Sequence, residues 1–139
     1  MSAISITELK QLLRAYLQAD AAVAALVGEH VYGVHLEDAD AQTVLQSKPL
    51  VVYELLSGVM RWHKGVSIQT MDVYGYSKRS GDEASQVYDA VAEALQHQRV
   101  QVAGIDPVAL PRETQRPLDG YNPVLDAWYV RARWTVEVS

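Results

Sequence analysis

A chain of 139 residues without cysteine excludes a disulfide-stapled scaffold and any thiolate chemistry. Its 12 basic against 17 acidic residues give a net charge of −5, which argues against broad affinity for nucleic acid, because phosphate contacts need clustered Lys and Arg. No apolar run approaches the roughly 20 residues of a membrane span, and MSAISITELK lacks a basic stretch followed by an apolar one, so neither a membrane contact nor a signal peptide is expected. The length suits one domain over residues 1–139, able to build a core without staples.

The first helix is predicted to start at Ser5. Ser5 and Glu8 have capping-box spacing, and Ile4 and Leu9 take the two staple positions. Leu9, Leu12, Leu13, Tyr16 and Leu17 then form one apolar stripe at helical spacing. Asp20 is placed to cap a short second helix, Ala21 to Val27, which Gly28 stops with a left-handed residue. Val31, Tyr32 and Val34 read as a short extended piece. The polar stretch that follows carries Glu37, Asp38 and Asp40 and reads as a loop, with one helical turn near Ala41 to Leu45.

Pro49 punctuates the start of a strand, Leu50 to Ser57, rich in strand-forming Val and Tyr. GVMRWHKG, residues 58–65, reads as a long hairpin loop, after which Val66 to Tyr76 returns antiparallel. Val66 and Ile68 share one parity, whereas Met71 and Val73 share the other. Either a bulge near Thr70 or burial of both faces accounts for the change. Ser80 and Glu83 repeat the capping-box spacing and open the main helix, Gly81 to His97, with a core stripe of Ala84, Val87, Tyr88, Val91 and Leu95. Asp82 and Glu83 at its start, and His97 and Arg99 near its end, agree with the helix dipole.

Arg99 to Val102 reads as a short strand. Pro107, Pro111, Pro117 and Pro123 then interrupt the chain, so any extended segment there belongs at an edge or a bulge. Asp119-Gly120 marks a turn. The last strand, Asp126 to Val138, alternates strictly. Trp128, Val130, Ala132, Trp134, Val136 and Val138 share one face, and Tyr129, Arg131, Arg133, Thr135 and Glu137 share the other, as expected of one core face and one wet face. The assembled order predicts an α+β fold: a single antiparallel sheet packed on one face by helices.

No catalytic or cofactor motif emerges. His30, His35, His63 and His97 lack the i, i+4 spacing of a helical zinc pair, so no metal site is expected. There is no G-x-S-x-G elbow, and neither Gly58 nor Gly65 opens a helix that could take a phosphate. Glu37, Asp38 and Asp40 would need burial to act as paired acid and base, and a polar stretch does not supply it. Two groups stand apart from the core. The loop residues Arg61, Trp62, His63 and Lys64 include types favoured at interface hot spots; they either fold back on the sheet or meet a partner. Tyr129, Arg131 and Arg133 are either ordinary sheet-surface residues or contacts to a neighbouring subunit.

The blocks LLRAYLQADAAVAALVGEHVYG, KPLVVYEL, VSIQTMDVYGYS running into DEASQVYDAVAEAL, and WYVRARWTVEV span nearly the whole chain. In this order and spacing they resemble the tail completion, or tail terminator, proteins of long-tailed bacteriophages. The resemblance implies a virion structural protein without enzymatic activity or cofactor. It implies that the protein caps the head-proximal end of a tail tube, stops polymerisation and helps join tail to head. Partners are then further copies of itself in a ring, expected to be a hexamer, the tail tube protein and a head completion or neck protein. DNA only passes through the lumen. The expected location is the virion tail, with assembly in the host cytoplasm. An acidic lumen repels the phosphate backbone, which makes Glu37, Asp38 and Asp40 candidates for facing that channel. A head–tail connector is the near alternative, and a small α+β enzyme or ligand-binding module is the alternative of another class.

Overall fold

In the computed structural model, residues 6–56, 61–63 and 66–139 are described, except for the side chains of 61–63, 66 and 67. Four helices and eight strands follow in the order α1 (Ile6–Ala19), α2 (Ala21–Val27), β1 (Val31–Tyr32), α3 (Asp38–Leu45), β2 (Leu50–Leu55), β3 (Arg61–His63), β4 (Val66–Ser77), α4 (Gly81–Leu95), β5 (Val100–Val102), β6 (Ile105–Glu113), β7 (Leu118–Asn122) and β8 (Ala127–Val138) among the described residues. The strands make one sheet ordered β1-β2-β4-β8-β6-β5, with β3 on β4 and β7 on β8. Every pairing is antiparallel except β1 with β2. The α+β class and the single, mostly antiparallel sheet are therefore as the sequence predicts.

The central ladder joins β4 and β8 without interruption, from Ser67 opposite Val138 to Ser77 opposite Trp128. No bulge occurs at Thr70. The change of parity has the other cause: β4 is covered on both sides. Gln69, Met71 and Val73 face the helices and are buried, while Asp72 and Tyr76 on the opposite side are buried as well. Gln69 is kept in this setting by its amide, which donates to the Leu56 carbonyl at 2.5 Å where β2 ends.

The main core lies between the sheet and α1, α2 and α4. Leu9, Leu12, Leu13 and Leu17 of α1 meet Val87, Val91 and Leu95 of α4 and the inner residues Met71, Val73, Trp134 and Val136. Gly75 lets α4 approach β4 closely, since a Cβ there would stand 2.9 Å from the Tyr88 amide nitrogen. A second, smaller core lies on the outer face. There Ala41 and Leu45 of α3 pack on Leu50, Val52, Tyr76, Leu125 and Ala127. The helical layer is thus on one face as expected, and α3 closes one corner of the other.

Local signals account for most boundaries. Asp20 Oδ1 accepts from the Ala22 and Val23 amides at 3.1 Å, and Gly28 has φ +62°. Ser80 Oγ accepts from the Glu83 amide at 3.0 Å. The return bond of a full capping box is replaced: Glu83 accepts instead from the buried Ser77 hydroxyl at 2.7 Å. The Ser5 and Ile4 signals lie outside the described residues. Helix α4 ends at Leu95, two residues short of the expected His97, which turns left-handed at φ +58°. The helical turn expected near Ala41 to Leu45 is present and begins earlier, at Asp38, where a loop was expected; Ala41 and Leu45 find an apolar floor that the sequence alone does not display. Part of the expected 58–65 loop, Arg61–His63, is a strand on β4.

The prolines behave as their chemistry requires. Val108 exchanges both backbone hydrogen bonds with Ser139, so by alternation the nitrogens of Pro107 and Pro111 point away from β8. Pro107 then meets the irregular register of the β5–β6 ladder, and Pro111 lies beyond the end of β5. Asp119-Gly120 is not a turn. Both residues belong to β7, and Gly120 lies under the ring of Tyr129, its cross-strand partner. The reversal falls later, where the Asn122 side chain accepts from the Val124 and Leu125 amides and Asp126 adopts φ +51°.

Candidate protein interface

The outer face of the sheet concentrates the functional candidates. Register sets its pattern, because side chains two apart share a face. Tyr76 stands opposite Tyr129, Tyr74 opposite Arg131, and Asp72 opposite Arg133. The tyrosines form one cluster: the rings of Tyr74 and Tyr76 stack at 5.7 Å, and Tyr129 lies 5.8 Å from Tyr76 and 6.3 Å from Tyr74. His35 sets its ring edge-on to Tyr74 at 4.8 Å and reaches Glu54 at 3.1 Å. Burial, then the neighbouring tyrosines, push the Tyr76 hydroxyl well above its usual range.

Charge is arranged beside this cluster. Arg133 donates to both oxygens of Asp72, at 3.0 and 3.4 Å, a fork that fixes both side chains. The Arg131 guanidinium has the Tyr74 hydroxyl as its partner, and this bond raises its already high pKa. Arg112 of β6 stands opposite Thr135 on the same face. Arg116 follows on the connection to β7 and, with Gln115, Leu118, Asp72, Arg131 and Arg133, lines a shallow depression. Arg112 and Arg116 are exposed and enter no ion pair or hydrogen bond among the described residues. Leu110 and Leu118 flank them with 44% and 58% of their surface exposed.

The expected residues are distributed as follows. Tyr129, Arg131 and Arg133 come together, and they gain Tyr74, Tyr76 and Asp72 as neighbours. Arg61, Trp62 and His63 lie in β3, where their side chains are not described, and Lys64 is outside the described residues. Glu37, Asp38 and Asp40 are exposed as expected, but at the start of α3 rather than in a loop. Sequence reading missed Arg112, Arg116, Leu110 and Leu118. The proline-interrupted region hides the two strands, and the connection between them, that present these residues. An available signal was the period-two spacing of Leu110 and Arg112 around Pro111.

The described residues contain no group of three His, Asp or Glu able to hold a metal ion. No described helix is long and apolar enough to cross a membrane. The outer face thus combines forked and unpaired guanidiniums with buried and half-buried tyrosines and exposed leucines.

The fold is similar to that of a chain in a structure described as "Virion of native gene transfer agent (GTA) particle", with TM-score 0.68 and 17% identity, covering 99% of this chain and 98% of that one. No curated protein matches. The family described as "Tail completion protein gp17" matches residues 11–137, from within α1 to within β8. The chain belongs to the tail completion protein gp17 family.

Proposed function

We propose that this chain is a structural protein of a phage-like virion. It closes the head-proximal end of the tail tube, stops further polymerisation and helps join the tail to the head. The observation that carries this reading is family membership across residues 11–137. The likeness over 99% of the chain to a component of a gene transfer agent particle supports it. The protein works as a ring of copies, six on a sixfold tube, between the tube protein and a head completion protein, with DNA passing through the lumen. It resides in the virion after assembly in the host cytoplasm, and it is not an enzyme.

The surface is sufficient for this work. The chain exposes 7677 Å², and two ring contacts at about 800 Å² per partner cover about a fifth of it. The rest remains for tube and head. Electron microscopy of particles made without this protein tests the reading. Tails of uncontrolled length, unattached to heads, are the expected result. Tails of normal length that fail only to attach indicate a connector instead, and normal, head-joined tails overturn both.

A further inference from the structure

We propose that β7 is a docking edge, on which an acidic, extended segment of another virion protein lies as an added strand. The segment's carboxylates face Arg116 and Arg131, and its opposite side rests on Tyr121 and Trp128. This rests on the virion reading above and names the chemistry of a partner.

Exposed apolar surface is concentrated at this edge. Seven large apolar side chains are exposed among the described residues, and four of them, Leu118, Tyr121, Val124 and Trp128, belong to the hairpin of β7 and β8. Strand β7 pairs with β8 on one side and with no described strand on the other, so every second residue of Leu118–Asn122 turns its backbone N–H and C=O outward. The other edge strands with described side chains, β1 and β5, have no exposed large apolar residue. Pro117 and Pro123 limit the open stretch to five residues. That is a span of about 17 Å, and main-chain pairing along such an edge is how extended peptides join sheets.

Register divides the two sides of the edge. Leu118 stands opposite Arg131 on the outer face, and Tyr121 opposite Trp128 on the inner one. The Tyr121 ring is fixed before a partner arrives: its hydroxyl donates to Asp126, and it meets the Trp128 ring edge-on at 5.3 Å. On the outer side, Leu118 shares its depression with Arg116, Arg131 and Arg133, and Asp72 is the one carboxylate there. Arg133 is held on Asp72 and Arg131 on the Tyr74 hydroxyl, so ordering these long side chains costs a partner little. Three guanidiniums around one carboxylate, in a chain of net charge −5, select an anion. The adjoining leucine and the open backbone select a protein strand over nucleic acid. A second copy does not supply that strand: β1, β3 and β5 carry no carboxylate, and Asp119 of β7 lies on the inner side, away from the arginines.

Amide exchange and cross-linking in intact particles test this. In the isolated chain, the amides of Leu118–Asn122 that point away from β8 are expected to exchange fast, and in particles to slow about tenfold or more. The R116K variant keeps the charge and places an amine in the depression, and a carbodiimide then joins that amine to a carboxylate touching it. Mass spectrometry of treated R116K particles is expected to find the link on an Asp or Glu of another virion protein. The variant L118K/Y121K, checked for folding by circular dichroism and thermal unfolding, is expected to enter particles about tenfold less than the wild type or worse. Outward amides of β7 that exchange as fast in particles as in the isolated chain overturn the added strand. A link only to copies of this chain, or none at position 116 while other amines of the particle are linked, overturns the acidic partner. A folded L118K/Y121K that enters particles normally overturns both. Normal tails in the absence of the gene overturn the capping role, while exchange and the cross-link still decide this edge.

Discussion

Tyr88 shows how one polar group holds two layers together. Its ring is buried under α4, its hydroxyl donates to the Glu113 carboxylate at the end of β6, and it accepts from the Trp134 indole N–H at 3.2 Å. Glu113 is steadied in turn, because its amide donates to the Gln96 side chain at 2.9 Å. Burial, then the carboxylate partner, push the Tyr88 hydroxyl far above its usual range. Tyr88→Phe leaves the buried indole N–H without an acceptor, which costs about 1–3 kcal/mol. Urea unfolding followed by tryptophan fluorescence measures the loss; an unchanged midpoint removes the role given to this hydroxyl. Tyr88 is legible in the sequence as part of a core stripe. Its two hydrogen bonds are not, because they join residues 25 and 46 positions away.

The starts of α2 and α4 were the most readable element boundaries, and they make a sharp prediction. Replacing Asp20 by Ala leaves the Ala22 and Val23 amides without their acceptor, and Ser80→Ala does the same to the Glu83 amide. Each is expected to lower stability by about 0.5–2 kcal/mol. Amide exchange in the first turn of α2 or α4 should quicken correspondingly. Unaltered exchange at those amides would show that the caps do not hold the turns. These signals are local, involving side chains two or three residues from their targets, which is why sequence alone places them. Other elements were misread for the opposite reason. A Thr70 bulge was an option only while the second apolar cover of β4 was unknown. Gly120 looked like a turn residue because nothing nearby in sequence announces that the Tyr129 ring lies over it. Helix α3 has two buried positions, Ala41 and Leu45, too few to display a stripe.

At the scale of the molecule, the buried tyrosines set its response to alkali. Burial pushes Tyr53 up from 10.0 to about 12, and Tyr76 and Tyr88 move in the same direction. A folded-state pKa above the unfolded value means that the folded chain holds its protons longer. The associated stability is complete below pH 10 and is lost as pH rises from 10 through 12. Tyrosinate absorbance during alkaline titration is expected to include a late step, from Tyr53, Tyr76 and Tyr88, that coincides with unfolding. A gradual rise centred near pH 10 for all eight tyrosines would contradict it.

Alternation in β8, the helical stripes of α1 and α4, the caps and the ordered family blocks are written in neighbouring residues, so the sequence by itself determined the α+β class and pointed to the family. The second core under α3, the placement of Pro107 and Pro111, and the meeting of Arg112, Arg116 and Arg131 on one face arise from pairings between distant segments. Only the tertiary structure decided these, because strand register sets which side chains share a face, and register is a property of two strands together.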